Sequence, residues 1–148
     1  MSELPENYTI STDKHILQIS VIHTYLSTES YWAKHIPLEI VERSIENSLC
    51  FGLYFKSEQI GFARVISDFA VFGYLADVFI LETHRGKGLS KRLMEAIMNY
   101  PKLQGLRLFA LKTKDAQGLY KQFGFIVGKN PENFMEIKHE DFYKPKSQ

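Results

Sequence analysis

The chain is poor in the residues that would place it outside an ordinary cell interior. A single cysteine, Cys50, stands in 148 residues, which excludes an internal disulfide framework and suits a reducing compartment. Set in an apolar run, it reads as a small core residue. Charge of one sign is lacking too: 18 Lys and Arg against 17 Asp and Glu leave a net charge of +1. Bulk electrostatics therefore favour neither a nucleic acid nor an anionic membrane as partner. No run of about 18 apolar residues is present to span a bilayer. Residues 1–7 lack the basic and apolar pattern of a secretory signal. The expected location is the cytoplasm. The histidines (15, 23, 35, 84 and 139) pair neither with one another nor with Cys50 at metal-ligand spacing, so no metal is expected. No repeat, low-complexity tract or linker interrupts the chain. What is there is 45% apolar and 14% aromatic, enough for a proper core, and residues 1–148 read as one domain.

Residues 8–11 have the composition of a short strand. Asp13 is placed to cap a helix running to about residue 27, with Leu17, Val21 and Tyr25 on one face. Pro37 opens a second helix, with Leu38, Val41 and Ile45 on its apolar stripe and Glu39, Glu42, Arg43 and Glu46 on its wet face. The period then changes. Residues 50–55 and 60–67 are predicted as an antiparallel hairpin about a turn at 56–59, with 72–80 as the third strand of the meander. A helix follows behind Gly88, its apolar Leu89, Leu93, Ala96, Ile97 and Tyr100 at helical spacing and Pro101 as its stop. A strand at 106–111, a shorter helix at 115–122, strand-like pieces near 125–127 and 134–137, and a loose tail over 144–148 complete the chain. This order predicts an α/β sandwich around one mixed, mostly antiparallel sheet with about four helices.

The most informative stretch is 78–93. An apolar strand end, Val78-Phe79-Ile80, runs into Arg85-Gly86-Lys87-Gly88, and a helix starts at Leu89. Helix N-termini already carry partial positive charge and free N–H groups. Arg85 and Lys87 before this one, and Lys91 and Arg92 in its first turn, make sense if a polyanion, most simply a pyrophosphate, occupies the turn. Gly86 and Gly88 let the backbone approach it and adopt positive φ. A solvated basic turn is the plainer alternative. Neither a P-loop nor a dinucleotide fingerprint fits, because Lys91 stands where each needs a glycine.

That turn, in that order of elements, resembles the GNAT superfamily of acyl-CoA-dependent N-acetyltransferases. Arg85 and Gly88 match the signature Arg/Gln-x-x-Gly-x-Gly/Ala, and Ser90 takes its last, small position. Ala116, Leu119-Tyr120 and Gly124-Phe125 match a second segment, Ala-x-x-Leu-Tyr-x-x-x-Gly-Phe. The match is clear over 50–125. It implies a GNAT-like fold and acetyl-CoA as acetyl donor. The diphosphate would lie on the backbone of Arg85, Gly86, Lys87, Gly88, Leu89 and Ser90. The pantetheine arm would pair with Val78, Phe79 and Ile80 in a gap beside the next parallel strand. Ala116 belongs to the same cofactor segment, and Thr113 stands where many relatives place an asparagine that bonds the arm. Tyr120 matches the tyrosine assigned as general acid to the departing thiolate; a tyrosine packed by Leu119 and Phe123 is the alternative. The chemistry agrees with the first role. A thiol of pKa about 8.5 is a fair leaving group, and a phenol of pKa about 10 can donate to it.

The acceptor amine must be neutral to attack, and the base is harder to find. Polyamine-type relatives use a glutamate in Tyr-Leu-Glu-Asp, where this chain has Tyr74-Leu75-Ala76-Asp77. Alternation turns Asp77 to the opposite side from Ala76, unless a bulge reverses it. Asp77 reads first as a structural carboxylate satisfied by backbone or side-chain donors, with catalysis as the alternative; Asp68 and Glu29 are the other base candidates, and water, or an acceptor of low pKa, needs no protein base. Tyr31 and Trp32, between the first two helices, either hold the acceptor by cation–π or stacking contacts or cap the core beneath a loop. His84 is expected at the surface of the cofactor turn. The function implied is direct acetyl transfer in a ternary complex to a primary amine, in a small molecule or a protein amino group. A non-catalytic acyl-CoA-binding or sensor module is the alternative, and a homodimer is an option that relatives suggest.

Overall fold

The computed structural model describes residues 3–140 and 142–144. Among these residues five strands form one sheet in sequence order: β1 (Tyr8–Ser11), β2 (Leu49–Phe55), β3 (Glu58–Ser67), β4 (Phe72–Ile80) and β5 (Leu108–Leu111). The pairs β1–β2, β2–β3 and β3–β4 are antiparallel, and β4–β5 is parallel. Four α-helices accompany them among the described residues: α1 (Ile19–Thr24), α2 (Leu38–Glu46), α3 (Leu89–Met98) and α4 (Gln117–Lys121). The expected mixed, mostly antiparallel α/β architecture is the one formed.

The alternation of side chains along the strands sorts the core into two layers. On one face Phe51, Leu53, Ala63, Val65 and Leu75 meet Leu89, Leu93, Met94 and Ile97 of α3, with Tyr120 of α4 beside them. On the other, Cys50, Phe62 and Phe79 meet Ile22 and Leu26 from the first helical segment and Val41 and Ile45 of α2. Burial pushes the Cys50 thiol up to about 11, as befits a core residue rather than a nucleophile.

Several expected elements take a different form. The helix from Asp13 is broken: Asp13 caps only a 3-10 turn at Lys14–Ile16, where its carboxylate accepts the His15 N–H at 2.9 Å, and Leu17 and Gln18 are extended before α1 begins. The hydrogen bond from Gln18 N–H to Gln59 Oε1, at 2.7 Å, ties this break to the sheet and gives it a physical cause. Beyond α1 the helix widens into a π turn at Tyr25–Glu29. The hairpin turn is shorter than expected, Lys56-Ser57, with Lys56 at φ 55°. No strand forms near 125–127 or 134–137. Among the described residues β5 pairs with β4 alone, and Phe125 packs its ring on Phe109 of β5 without extending the ladder. Gly124, at φ 95°, turns the chain, and Met135 and Ile137 stay about nine-tenths exposed. Of the expected tail, 145–148 lie outside the described residues.

Candidate active site

The turn from β4 to α3 is built as a cradle. Gly86 and Gly88 have φ of 82° and 74°, and a Cβ added to either would meet nothing within 4 Å. Only glycine takes that backbone cheaply, and the space beside it is open. The N–H groups of Gly86 through Ser90 make no hydrogen bond among the described residues. Side chains at the near end pin the turn. His84 is half-buried rather than on the surface, its Nδ1 at 2.6 Å from the Tyr8 hydroxyl. Arg85 donates from Nε to the Ile80 carbonyl at 2.9 Å and from a terminal nitrogen to the Tyr25 hydroxyl at 3.2 Å. Arg92 pairs with Glu95 at 3.2 Å. Of the basic residues at this corner, Lys87 and Lys91 therefore remain exposed and uncommitted among the described residues.

Beside the turn the sheet opens. Pairing of β4 with β5 runs from Phe72 opposite Leu108 to Leu75 opposite Leu111 and then stops. Leu81 donates its N–H to the Ile60 carbonyl at 2.8 Å, so the two-residue period aims the backbone of Ile80 and Val78 away from β3, into the gap. A cleft of about 1220 Å³ lies at this splay, with Ala76, Asp77, Val78, Thr113, Ala116 and Tyr120 along it. Phe79 is instead buried on the helical side, stacked on Tyr25 with ring centroids 4.0 Å apart. Ile80 and residues 85–90 flank the cleft without lining it.

A bulge decides where Asp77 points. The β3–β4 register shifts between Phe62 and Arg64, and Asp77 sits at φ 56°. As a result Leu75, Val78 and Ile80 all pack on one core layer, a spacing that strict alternation forbids. The expectation that Asp77 faces away from Ala76 is therefore overturned. Its carboxylate accepts Arg64 Nε at 2.9 Å and the Trp32 indole N–H at 2.8 Å, and Arg64 also donates to Ser48 Oγ at 3.1 Å. Asp77 thus reaches the cleft wall but is committed on both oxygens. Asp68 lies outside the cleft, with one oxygen accepting the N–H groups of Ala70, Val71 and Phe72. These hydrogen bonds hold its carboxyl below the usual range, which weakens it as a base. Glu29, at the end of the π turn, is exposed and does not line the cleft.

Tyr120 is buried by α4, and that burial pushes its phenol up to about 12, with the neighbouring Tyr31 and Asp115 adding to the effect. Thr113 accepts the Ala116 N–H at 3.0 Å, which fixes the start of α4 and leaves its hydroxyl proton free to donate. Tyr31 and Trp32 both line the cleft, edge to face with centroids 5.0 Å apart, so they are wall rather than core caps. The Lys114 N–H donates to the Tyr31 hydroxyl at 3.0 Å, stitching the two rims. Sequence reasoning missed Lys34, Lys114, Asp115 and the C-terminal Phe134 and Phe142, which also line the cleft. They sit in irregular segments with no periodicity to flag them. Among the described residues no cluster suited to a metal ion occurs, and no helix is long and apolar enough to cross a membrane.

Comparison with known proteins agrees with this geometry. The profile of the acetyltransferase (GNAT) domain family matches residues 46–127. A protein of Gibberella zeae assigned as an acetyltransferase, FG08082, is 33% identical over 125 residues, covering 69% of this chain and 71% of that protein. Streptothricin acetyltransferase of Escherichia coli is 24% identical over 148 residues, covering 86% of this chain and 81% of that one. A crystal structure from Xanthomonas campestris pv. campestris, assigned to the same family, superposes with a TM-score of 0.93 at 49% identity, covering 97% of this chain and all of that one.

Proposed function

This chain belongs to the GNAT acetyltransferases, and on that footing we propose that it moves the acetyl group of acetyl-CoA directly to a primary amine within a ternary complex. The observation that carries this reading is the unpaired edge of β4 past Leu75, opening beside Tyr120 and next to a turn with free N–H groups. The diphosphate lies on the N–H groups of Gly86 through Ser90, with Lys87 and Lys91 adding charge. The pantetheine arm follows the outward backbone of Val78, and the Thr113 hydroxyl donates to it. The amine, neutral on attack, bonds to the thioester carbonyl carbon; collapse of the adduct breaks the C–S bond, and the amine's surplus proton goes to water. A phenol near 12 holds its proton more tightly than a thiol of about 8.5. Tyr120 therefore serves the departing thiolate as a hydrogen-bond donor and keeps its own proton, the thiolate being protonated from water after the C–S bond breaks.

The test is release of free thiol from acetyl-CoA in the presence of amines, with acetyl-CoA binding followed by calorimetry. Tyr120→Phe is expected to lower kcat by about 100-fold or more with affinity for acetyl-CoA kept. Binding without amine-dependent thiol release would sink the proposal.

A further inference from the structure

The cleft around Tyr120 has an uneven balance of committed and uncommitted charge. Asp77 is taken by Arg64 and Trp32, Glu136 by Lys112, and Glu140 faces Lys138 at 3.8 Å. Lys34 and Lys114, like Lys144, have no carboxylate within 4.0 Å among the described residues, and Asp115 is the acid left over. These two lysines stand on opposite rims, Lys34 between α1 and α2 and Lys114 behind β5. The bond from the Lys114 backbone to Tyr31 holds the rims together, and the Lys114 ammonium lies 5.3 Å over the Tyr31 ring. His35 and His139 line the same space and add only positive charge when protonated.

A polycationic acceptor would meet these lysines with no free carboxylate opposite except Asp115 among the described residues. An amine that also carries an anion would find two unpaired ammonium groups and an apolar wall of Trp32, Phe134 and Phe142. The surplus positive charge also disfavours protonation of the amine itself, which answers the shortage of a free base at Asp77 and Asp68. Resting on the transferase reading above, we infer that the acceptor is an amine bearing an anionic group, carboxylate or phosphate, held by Lys34 and Lys114.

The experiment measures acetyl transfer from acetyl-CoA to matched amines: phenylalanine against phenylalaninamide for the carboxylate, O-phosphotyramine against tyramine for the phosphate, and spermidine as polycation. At least one anionic amine is expected to have a kcat/KM about tenfold or more above its neutral partner, and the arm that shows it names the anion. Lys34→Glu with Lys114→Glu reverses charge at exposed positions; it is expected to erase that preference, chiefly through KM, with acetyl-CoA affinity and melting temperature as controls for folding. Lys114→Arg is expected to keep the preference. Transfer that favours the neutral partners or spermidine, or a preference unmoved by charge reversal, overturns the inference and leaves the transferase intact. Transfer to no amine at all removes the transferase reading, and the inference falls with it.

Discussion

At the scale of single residues, the site is organised by which polar groups are already spoken for. Asp77 and Arg64 are largely buried, with side-chain exposures of 10% and 15%, and each completes the other. Removing one partner leaves a buried charge without compensation. Asp77→Ala is therefore expected to cost about 3–5 kcal/mol, measured by urea unfolding. Asp77→Asn keeps an acceptor for Trp32 and suits the positive φ, so it should retain more stability than the alanine variant. Tyr120 supplies a second prediction, through pH. Because its phenol is held near 12, it stays protonated well past the ordinary tyrosine value of 10.0. The kcat profile should show no loss through about pH 10 from ionisation of this group. A loss of kcat that sets in below about pH 10 and vanishes in Tyr120→Phe would contradict the raised value.

At the scale of elements, the turn into α3 and the splay of β4 from β5 are the two devices that matter. The turn depends on backbone, so its test is a backbone substitution. Gly86→Ala puts a Cβ at φ 82°, which costs about 1–2 kcal/mol. The same Cβ enters the open space proposed for the diphosphate, so affinity for coenzyme A should fall about tenfold by calorimetry. Unchanged affinity with reduced stability would separate the turn from phosphate binding. Pairing with β5 stops at Leu75, just before the bulge at Asp77, and about that bulge local sequence is mute. Alternation in residues 72–80 correctly gives a strand. The extra residue shows only in the register with β3, because a bulge is a property of two strands together. The apolar runs near 125–127 and 134–137 teach the reverse lesson. Their composition suits strands, yet among the described residues no ladder forms there, and Phe125 meets β5 through its ring against Phe109 instead.

At the scale of the whole molecule, burial sets how stability responds to alkali. Cys50, Tyr54 and Tyr120 keep their protons in the fold to about 11, 12 and 12, against ordinary values of 9.0, 10.0 and 10.0. Above about pH 9 the unfolded chain therefore binds fewer protons than the folded one, and stability falls as pH rises. Melting temperatures should hold level to about that pH and then decline, with a shallower decline in Tyr54→Phe. A flat profile through about pH 11 would refute the burial of these groups.

The order of elements as far as α4, the apolar stripes of α2 and α3 and the glycine turn at Gly86 and Gly88 were readable from the sequence, because they rest on spacing within single segments, and Tyr120 was marked by the resemblance of residues 116–125 to the family segment. The identity of the partners that commit Asp77, the anchoring of Arg85 to Ile80 and Tyr25, and the placing of Lys34 and Lys114 along one cleft were decided by tertiary structure alone. Each joins residues that are close in space through the packing of separate strands and loops. Periodicity along a chain carries no information about which side chain will satisfy which, since that depends on partners brought together only by folding.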